Sequence, residues 1–333
     1  MKAALALSLL LVIGAGERVF CAQNAPVRVE TAEFSGRRYL RLGDWAKANN
    51  FELHWQKREE VVQLSNRASR MVFTKDSREA ELNGVKVWLS WPIVINNGAG
   101  YISELDLQTA IRPVLSPPKN WSGSKVRNIV IDPGHGGRDP GNQDGARQEK
   151  KYTLLLAQEL SAQLKRAGFN PSLTRTTDAF IDLPVRPDIA RRRGADLFIS
   201  LHWNSVDSGK NEVRGIETYC LTPAGAASSN AGGEIIGAGT KPGNRFNEKN
   251  MFLAYELQKT LLKELRAPDR GVRRARFAVL RTAEMPAILL EGGFMSHPAE
   301  SMRIYDPVSR RQMAHAIVDG ILAYKNAVEQ GKR

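Results

Sequence analysis

The chain has 333 residues, enough for two domains at roughly 150 residues each. With 42% hydrophobic and 25% charged residues, its composition excludes a mainly disordered, collagen-like or multi-span membrane protein. The 48 Lys+Arg against 35 Asp+Glu leave a net charge of +13, which favours an anionic partner: nucleic acid, an anionic membrane surface or an acidic wall polymer.

In chain order, Lys2, an apolar run over 3–13 and the small residues Gly14-Ala-Gly16 predict a secretory signal over 1–22, too short to span a membrane and stay. Neither Gly14-Ala-Gly16 nor Phe20-Cys21-Ala22 matches a small-x-small cleavage site well, and an uncleaved anchor is the alternative. No other stretch approaches the roughly 20 apolar residues of a transmembrane helix. The expectation is an exported protein, periplasmic or extracellular, with no stable span once the signal is removed. The two cysteines, Cys21 and Cys220, are too few for a disulfide framework or a zinc-thiolate site.

Residues 27–114 read as a small α+β module. Short β-rich runs cover 51–55, 61–64 and 70–73, and Asn83-Gly84 marks a hairpin between 81–82 and 85–89. Short helices are expected over 42–50 and 104–111. A Pro/Ser/Gly-rich linker follows over 115–125.

From 126 to 328 strands alternate with helices. Strands are predicted over 126–131, 196–201, 215–221, 277–280 and 287–290. Helices are predicted over 150–167, 183–193, 252–265 and 308–328; the first carries Tyr152, Leu156, Leu160 and Leu164 at i+4 spacing and stops at Gly168. Alternation of this kind predicts an α/β fold, a twisted, largely parallel or mixed sheet flanked by helices. The charge sits here: residues 116–333 hold 33 basic and 23 acidic residues, against 13 and 11 over 27–115.

Three polar residues stand at or just beyond the C-terminal ends of apolar strands, where open α/β sheets build their sites. His135 lies in Asp132-Pro-Gly-His-Gly-Gly137, His202 follows Leu197-Phe-Ile-Ser-Leu201, and Glu291 follows Ala287-Ile-Leu-Leu290. Glu149 stands at the opening of the helix that begins near Lys150, where a helix dipole favours a carboxylate. Two imidazoles and a carboxylate match the three-ligand set of a catalytic zinc, and a second carboxylate could act as general base. Each residue alone also has an ordinary structural reading, as a hydrogen-bonded histidine, a helix cap or a paired strand acid.

These residues sit in ordered blocks that resemble the zinc-dependent N-acetylmuramoyl-L-alanine amidases, envelope enzymes that cut the peptidoglycan glycan strand from its stem peptide. The blocks are Ile129-Val-Ile-Asp-Pro-Gly-His-Gly-Gly137 with Asp139-Pro-Gly141, Gln148-Glu149-Lys150, Leu173-Thr-Arg175, Leu183 with Arg186, and Ala195 to His202 with Asn204. They continue in Gly215-Ile-Glu-Thr-Tyr219, Phe277-Ala-Val-Leu280 and Met285 to Ser296. The resemblance implies one Zn2+ on His135, Glu149 and His202, Glu291 as the catalytic carboxylate, and peptidoglycan as substrate. Arg191 and His297 depart from the family's common residues, and neither is an implied ligand. Arg281 could neutralise a stem-peptide carboxylate, or be a solvated arginine; His54 and His315 read as structural.

Some relatives carry a blocking helix, moved by an envelope activator protein, at the place of residues 222–249. Here that stretch is rich in Gly, Ala, Ser and Asn, with Glu234-Ile-Ile236 its only apolar helical hint, so a mobile loop is expected. The first unit resembles the module named after the N-terminal domain of copper amine oxidases, through Tyr39-Leu-Arg-Leu42, the Trp55 strand, Val61 to Gln63 and Tyr101-Ile102. One histidine and no cysteine give no reason to infer copper there. Two rival functions remain, a zinc peptidase cutting within the stem peptide and a non-catalytic wall-binding protein. Export, and the lack of a basic-aromatic motif, disfavour nucleic acid.

Overall fold

The computed structural model describes residues 28–121, 123–229 and 239–329; the expected signal over 1–22 and the Glu234–Ile236 hint lie outside them. The first strands, β1 (Thr31–Phe34) and β2 (Arg37–Arg41), form a hairpin and run directly into α1 (Leu42–Ala48). An antiparallel meander follows: β3 (Glu52–Lys57), β4 (Val61–Ser65), β5 (Arg70–Thr74), β6 (Glu79–Leu82) and β7 (Val85–Trp88). Alternate residues point inward, burying Val62, Leu64, Met71, Phe73, Ala80, Leu82, Val85 and Val87. The β6–β7 turn is the expected Asn83-Gly84, both at positive φ (51° and 81°), which matches the twist of a tight hairpin. β8 (Val94–Asn96) and β9 (Ala99–Ser103) return to β2, giving a four-stranded sheet in the order β1-β2-β9-β8. A helical run then ends this unit: α2 (Glu104–Asp106), a π-helical turn (Leu107–Ile111) and α3 (Arg112–Leu115).

The stretch after α3 is held against the final helix by hydrogen bonds from Lys119 Nζ to the Ala327 carbonyl (2.6 Å) and from the Asn120 amide to Val328 (2.9 Å). The second unit then runs β10 (Asn128–Pro133), a small hairpin of β11 (Gln143–Asp144) and β12 (Arg147–Gln148), α4 (Glu149–Arg166), β13 (Asn170–Leu173), α5 (Val185–Arg192), β14 (Leu197–Asn204) and β15 (Ile216–Leu221). After a 3-10 turn (Pro242–Phe246) come α6 (Asn247–Leu265), β16 (Asp269–Ala275), α7 (Ala278–Arg281), β17 (Ala287–Phe294), α8 (Pro298–Tyr305) and α9 (Pro307–Glu329). No described helix is long and apolar enough to cross a membrane.

One mixed sheet joins the two units, in the order β13-β10-β14-β17-β15-β16-β7-β6-β5-β4-β3. β13, β10, β14 and β17 are parallel, β15 runs antiparallel to β17, and β16 pairs in parallel with both β15 and β7. This is the α/β sheet flanked by helices that the alternation predicts. One face packs on α4, α6 and α9 through Ile131, Ile199, Leu201, Trp203, Cys220 and Leu290. Among the described residues the other face is covered by the shorter helices α5 and α7, through Val130, Phe198, Tyr219 and Leu289. His202, Glu217 and Glu291 lie on this thinner face, where the side chains of His135 and His202 stay 23% and 15% exposed.

The strand expected over 277–280 is a correction. Phe277 leads into the short helix α7, whose Val279 and Leu280 are buried on the sheet face, and the neighbouring strand is β16. Four apolar residues fit a buried helical turn as well as a strand. The true strand was masked by Arg270, Arg273 and Arg274, which are held by partners inside the protein.

Helices α6 and α9 cross closely at Gly320, where an added Cβ would lie 2.7 Å from Thr260 Oγ1 and 3.0 Å from Leu257 Cα. Gly320→Ala gains about 1 kcal/mol of helix propensity but incurs roughly 1–3 kcal/mol of overpacking against backbone. The expected net is a destabilisation of about 1 kcal/mol, read as a lower melting midpoint; a raised midpoint would mean that the helices can part at no cost.

Candidate active site

β10 and β14 pair with Pro133 opposite Leu201, so the turn leaving β10 lies beside the end of β14. His135 occupies that turn with φ of 62°, a conformation that costs a non-glycine residue about 1–3 kcal/mol unless its surroundings hold it. Two buried arginines do so. Arg186 donates to the carbonyls of His135 and Pro133 (2.9 Å each) and pairs with Asp132 at 2.9 Å. Arg175 donates from Nη2 to the carbonyls of Gly134 and Lys150, both at 2.8 Å. Gly134 is required by close approach, because a Cβ there would sit 2.3 Å from Cε1 of His202.

Glu149 is the first residue of α4, where unpaired amides and the positive end of the helix favour an anion. Its carboxylate is buried. Oε2 accepts the Asn142 amide at 2.9 Å and lies 3.1 Å from His135 Nε2; Oε1 accepts the Trp203 amide at 3.0 Å and lies 3.0 Å from His202 Nδ1. Burial pushes the Glu149 pKa up, but the hydrogen bonds with His135 and His202 override it and hold the group far below the usual carboxylate range. For His135 burial lowers the pKa, and Glu149 and Asp139 outweigh it to raise the net value. Asp139 Oδ2, at 2.8 Å from Nδ1, accepts the proton of the tautomer that leaves Nε2 facing Glu149.

Ligand-capable atoms of His135, Glu149 and His202 lie within 4.8 Å of one another. A tetrahedral zinc with bonds of about 2.0–2.1 Å separates its ligands by roughly 3.3–3.5 Å, close to the two histidine–carboxylate distances here. In chemistry and spacing the residues fit such an ion.

Glu291 lies opposite His202 across β14–β17 and opposite Glu217 across β17–β15. Its Oε2 is buried and, among the described residues, has no hydrogen-bond partner. Burial, and then the charges of Glu149 and Glu217, raise its pKa well above the ordinary carboxylate value. Glu217 is fully satisfied: Oε1 accepts Arg270 Nε (2.5 Å) and Arg273 Nη1 (2.8 Å), and Oε2 accepts Tyr219 Oη (2.7 Å) and Asn204 Nδ2 (3.3 Å).

The four residues singled out in the sequence are therefore brought to one place. Others are not. His297 caps α8, its Nδ1 accepting the Glu300 amide at 3.3 Å, while His54, His315 and Arg281 are exposed. Within the 222–249 stretch, the turn at 223–228 is pinned by Arg276 on the Ala226 carbonyl (2.5 Å) and Arg78 on that of Ala227 (3.0 Å). Sequence reasoning assigned no role to Asp139 or Glu217. The first stands four residues after His135 and the second is a lone acid in an apolar strand, so both left a signal. The arginines of β16 left none.

The N-acetylmuramoyl-L-alanine amidase model matches residues 129–323, and the copper amine oxidase N-terminal domain model matches 21–111. The amidase AmiC of Neisseria meningitidis serogroup B is 37% identical over 221 residues, covering 60% of this chain and 52% of that protein, so the match spans about half of the relative's length. Among solved structures, amidase AmiC2 of Nostoc punctiforme is 35% identical with a TM-score of 0.50, covering 61% of this chain and 98% of that one. The amidase of Clostridium difficile 630 is 32% identical with a TM-score of 0.51, covering 62% and 100%. With that family's model matched over more than half of the chain, this chain belongs to the N-acetylmuramoyl-L-alanine amidase family.

Proposed function

We propose that this protein hydrolyses the amide bond between the lactyl group of N-acetylmuramic acid and the L-alanine of the peptidoglycan stem peptide, with zinc held by His135, Glu149 and His202 and Glu291 as the catalytic carboxylate. The observation that carries the reading is the buried, unpartnered Oε2 of Glu291 on the strand position beside that three-residue cluster. His135, Glu149 and His202 would hold the ion, which would supply a water acidified toward a pKa of about 7 and a polarised carbonyl. Glu291 Oε2, with no protein donor occupying it, takes the proton of the attacking water. Burial, the main cause of its raised pKa, then lets Glu291 hold that proton until it passes to the departing L-alanine nitrogen. Asp139 keeps the His135 ring oriented, and Arg175 and Arg186 keep its turn from relaxing. A wall substrate requires export, which the apolar run over 3–13 would serve. The same metal chemistry would serve a peptidase; the amidase family match over 129–323 is what weighs against the peptidase and wall-binding readings.

Purified peptidoglycan digested with the protein should release stem peptides beginning with L-alanine and leave free lactyl groups, and a zinc chelator should abolish both products. Cleavage inside the stem peptide would replace this reading. Glu291→Gln should keep the bound zinc, measured by elemental analysis, while losing about 10^2–10^4 in kcat. Gly134→Ala should lower zinc content and activity together although Gly134 offers no ligand, because the added methyl group takes the space of the His202 ring. Full zinc occupancy in that variant would show that the ring can move aside.

A further inference from the structure

β7 of the first unit joins the sheet beside β16, with Val87 opposite Val272. The next residue, Trp88, makes two contacts across that seam. Its indole Nε1 donates to the Arg270 carbonyl at 3.2 Å, and the Arg273 guanidinium carbon lies 4.5 Å from its ring centroid. The seam is fastened on either side by the Lys86 amide on Asp269 Oδ2 (2.7 Å) and by Tyr255 Oη on the Leu82 carbonyl (3.2 Å).

Arg270 and Arg273 are the two cations on Glu217, whose carboxylate stands directly across from Glu291. Like charges facing each other across an antiparallel pair repel. Here two guanidiniums and the Tyr219 hydroxyl occupy the Glu217 oxygens, while Oε2 of Glu291 keeps no partner among the described residues. Arg273 is not locked by its own hydrogen bonds alone: its Nε is buried with no partner among the described residues. The face of the Trp88 ring packs against that guanidinium and limits its rotamers.

We propose that Trp88 is a positioning residue for catalysis, acting through the Arg273 guanidinium on Glu217 and through Glu217 on Glu291. The first unit is thereby a structural part of the active site. This rests on the reading of Glu291 as the catalytic carboxylate.

The test is made on the full chain loaded with zinc, with kcat and KM measured on a soluble muramoyl-peptide. Trp88→Ala should lower kcat roughly five- to fifty-fold, with KM within about twofold and zinc content unchanged. Trp88→Phe, which keeps an aromatic face over Arg273, should recover most of the loss. Because the two residues act in series, the double variant Trp88→Ala/Arg273→Ala should be no slower than Arg273→Ala alone. Wild-type kcat in Trp88→Ala, or single effects that multiply in the double variant, would overturn the proposal. If the alanine variant lacks a cooperative melting transition, Trp88→Leu, which keeps apolar volume without a ring, is measured in its place against the same expectations. Glu291→Gln separates the two readings. Its inactivity beside a normal Trp88→Ala removes this proposal alone, and full activity in Glu291→Gln removes both.

Discussion

The site depends on a buried anion, the carboxylate of Glu149. A carboxylate at about 1% exposure survives inside a protein only where donors and cations replace water. Two backbone amides, two imidazoles and the N-terminal end of α4 do so here. The donors come from three pieces of chain, so meeting the needs of one anion at the start of α4 sets where four segments lie. The loop before α4 brings the Asn142 amide, the end of β14 brings His202 and the Trp203 amide, and the turn after β10 brings His135. Without these partners the group would have to protonate or leave the interior, and the cluster would come apart with it.

The second constraint is the change of direction in the sheet. Parallel strands β10, β14 and β17 carry their chain ends to one edge, and β15 returns antiparallel beside β17. That reversal is what sets Glu217 against Glu291, and it would be a liability if both were free anions. The conflict is settled on β16, which supplies Arg270 and Arg273, and β16 is itself the strand on which the meander of the first unit is laid. The continuity of the sheet is therefore chemical as well as topological, running from Trp88 to a carboxylate at the site.

Much of this was legible in the sequence. Strand-end polar residues, glycines in Pro133-Gly-His-Gly-Gly137 and a carboxylate at a helix start are local patterns, and they pointed to the four residues that converge. Helices and strands with clean period, such as α4 with Leu156, Leu160 and Leu164, were placed to within a few residues. The misreading at 277–280 comes from the ambiguity of a short apolar run, and the silence of β16 has a cause of its own. Periodicity detects side chains that separate by polarity, and β16 buries arginines whose partners lie far away in sequence, Thr109 for Arg274 and Glu217 for Arg270 and Arg273. Long-range pairing of buried charge leaves no local trace.

The same point alters the meaning of the net charge. A surplus of +13 suggests a basic surface, but a share of these arginines faces inward. Arg175 and Arg186 hold carbonyls of the His135 turn, Arg274 holds that of Thr109, and Arg78 and Arg276 hold those of the 223–228 turn. The densest run stays exposed and is only partly engaged: Arg191 and Arg192 share Asp188, and Arg193 donates to the Leu173 carbonyl at 2.7 Å. A guanidinium satisfying backbone carbonyls keeps its charge while its donors are spent, so it adds to the long-range field without offering a contact. The basic surplus can thus act on an anionic partner from a distance, while the inward-facing arginines add nothing to close-range contact.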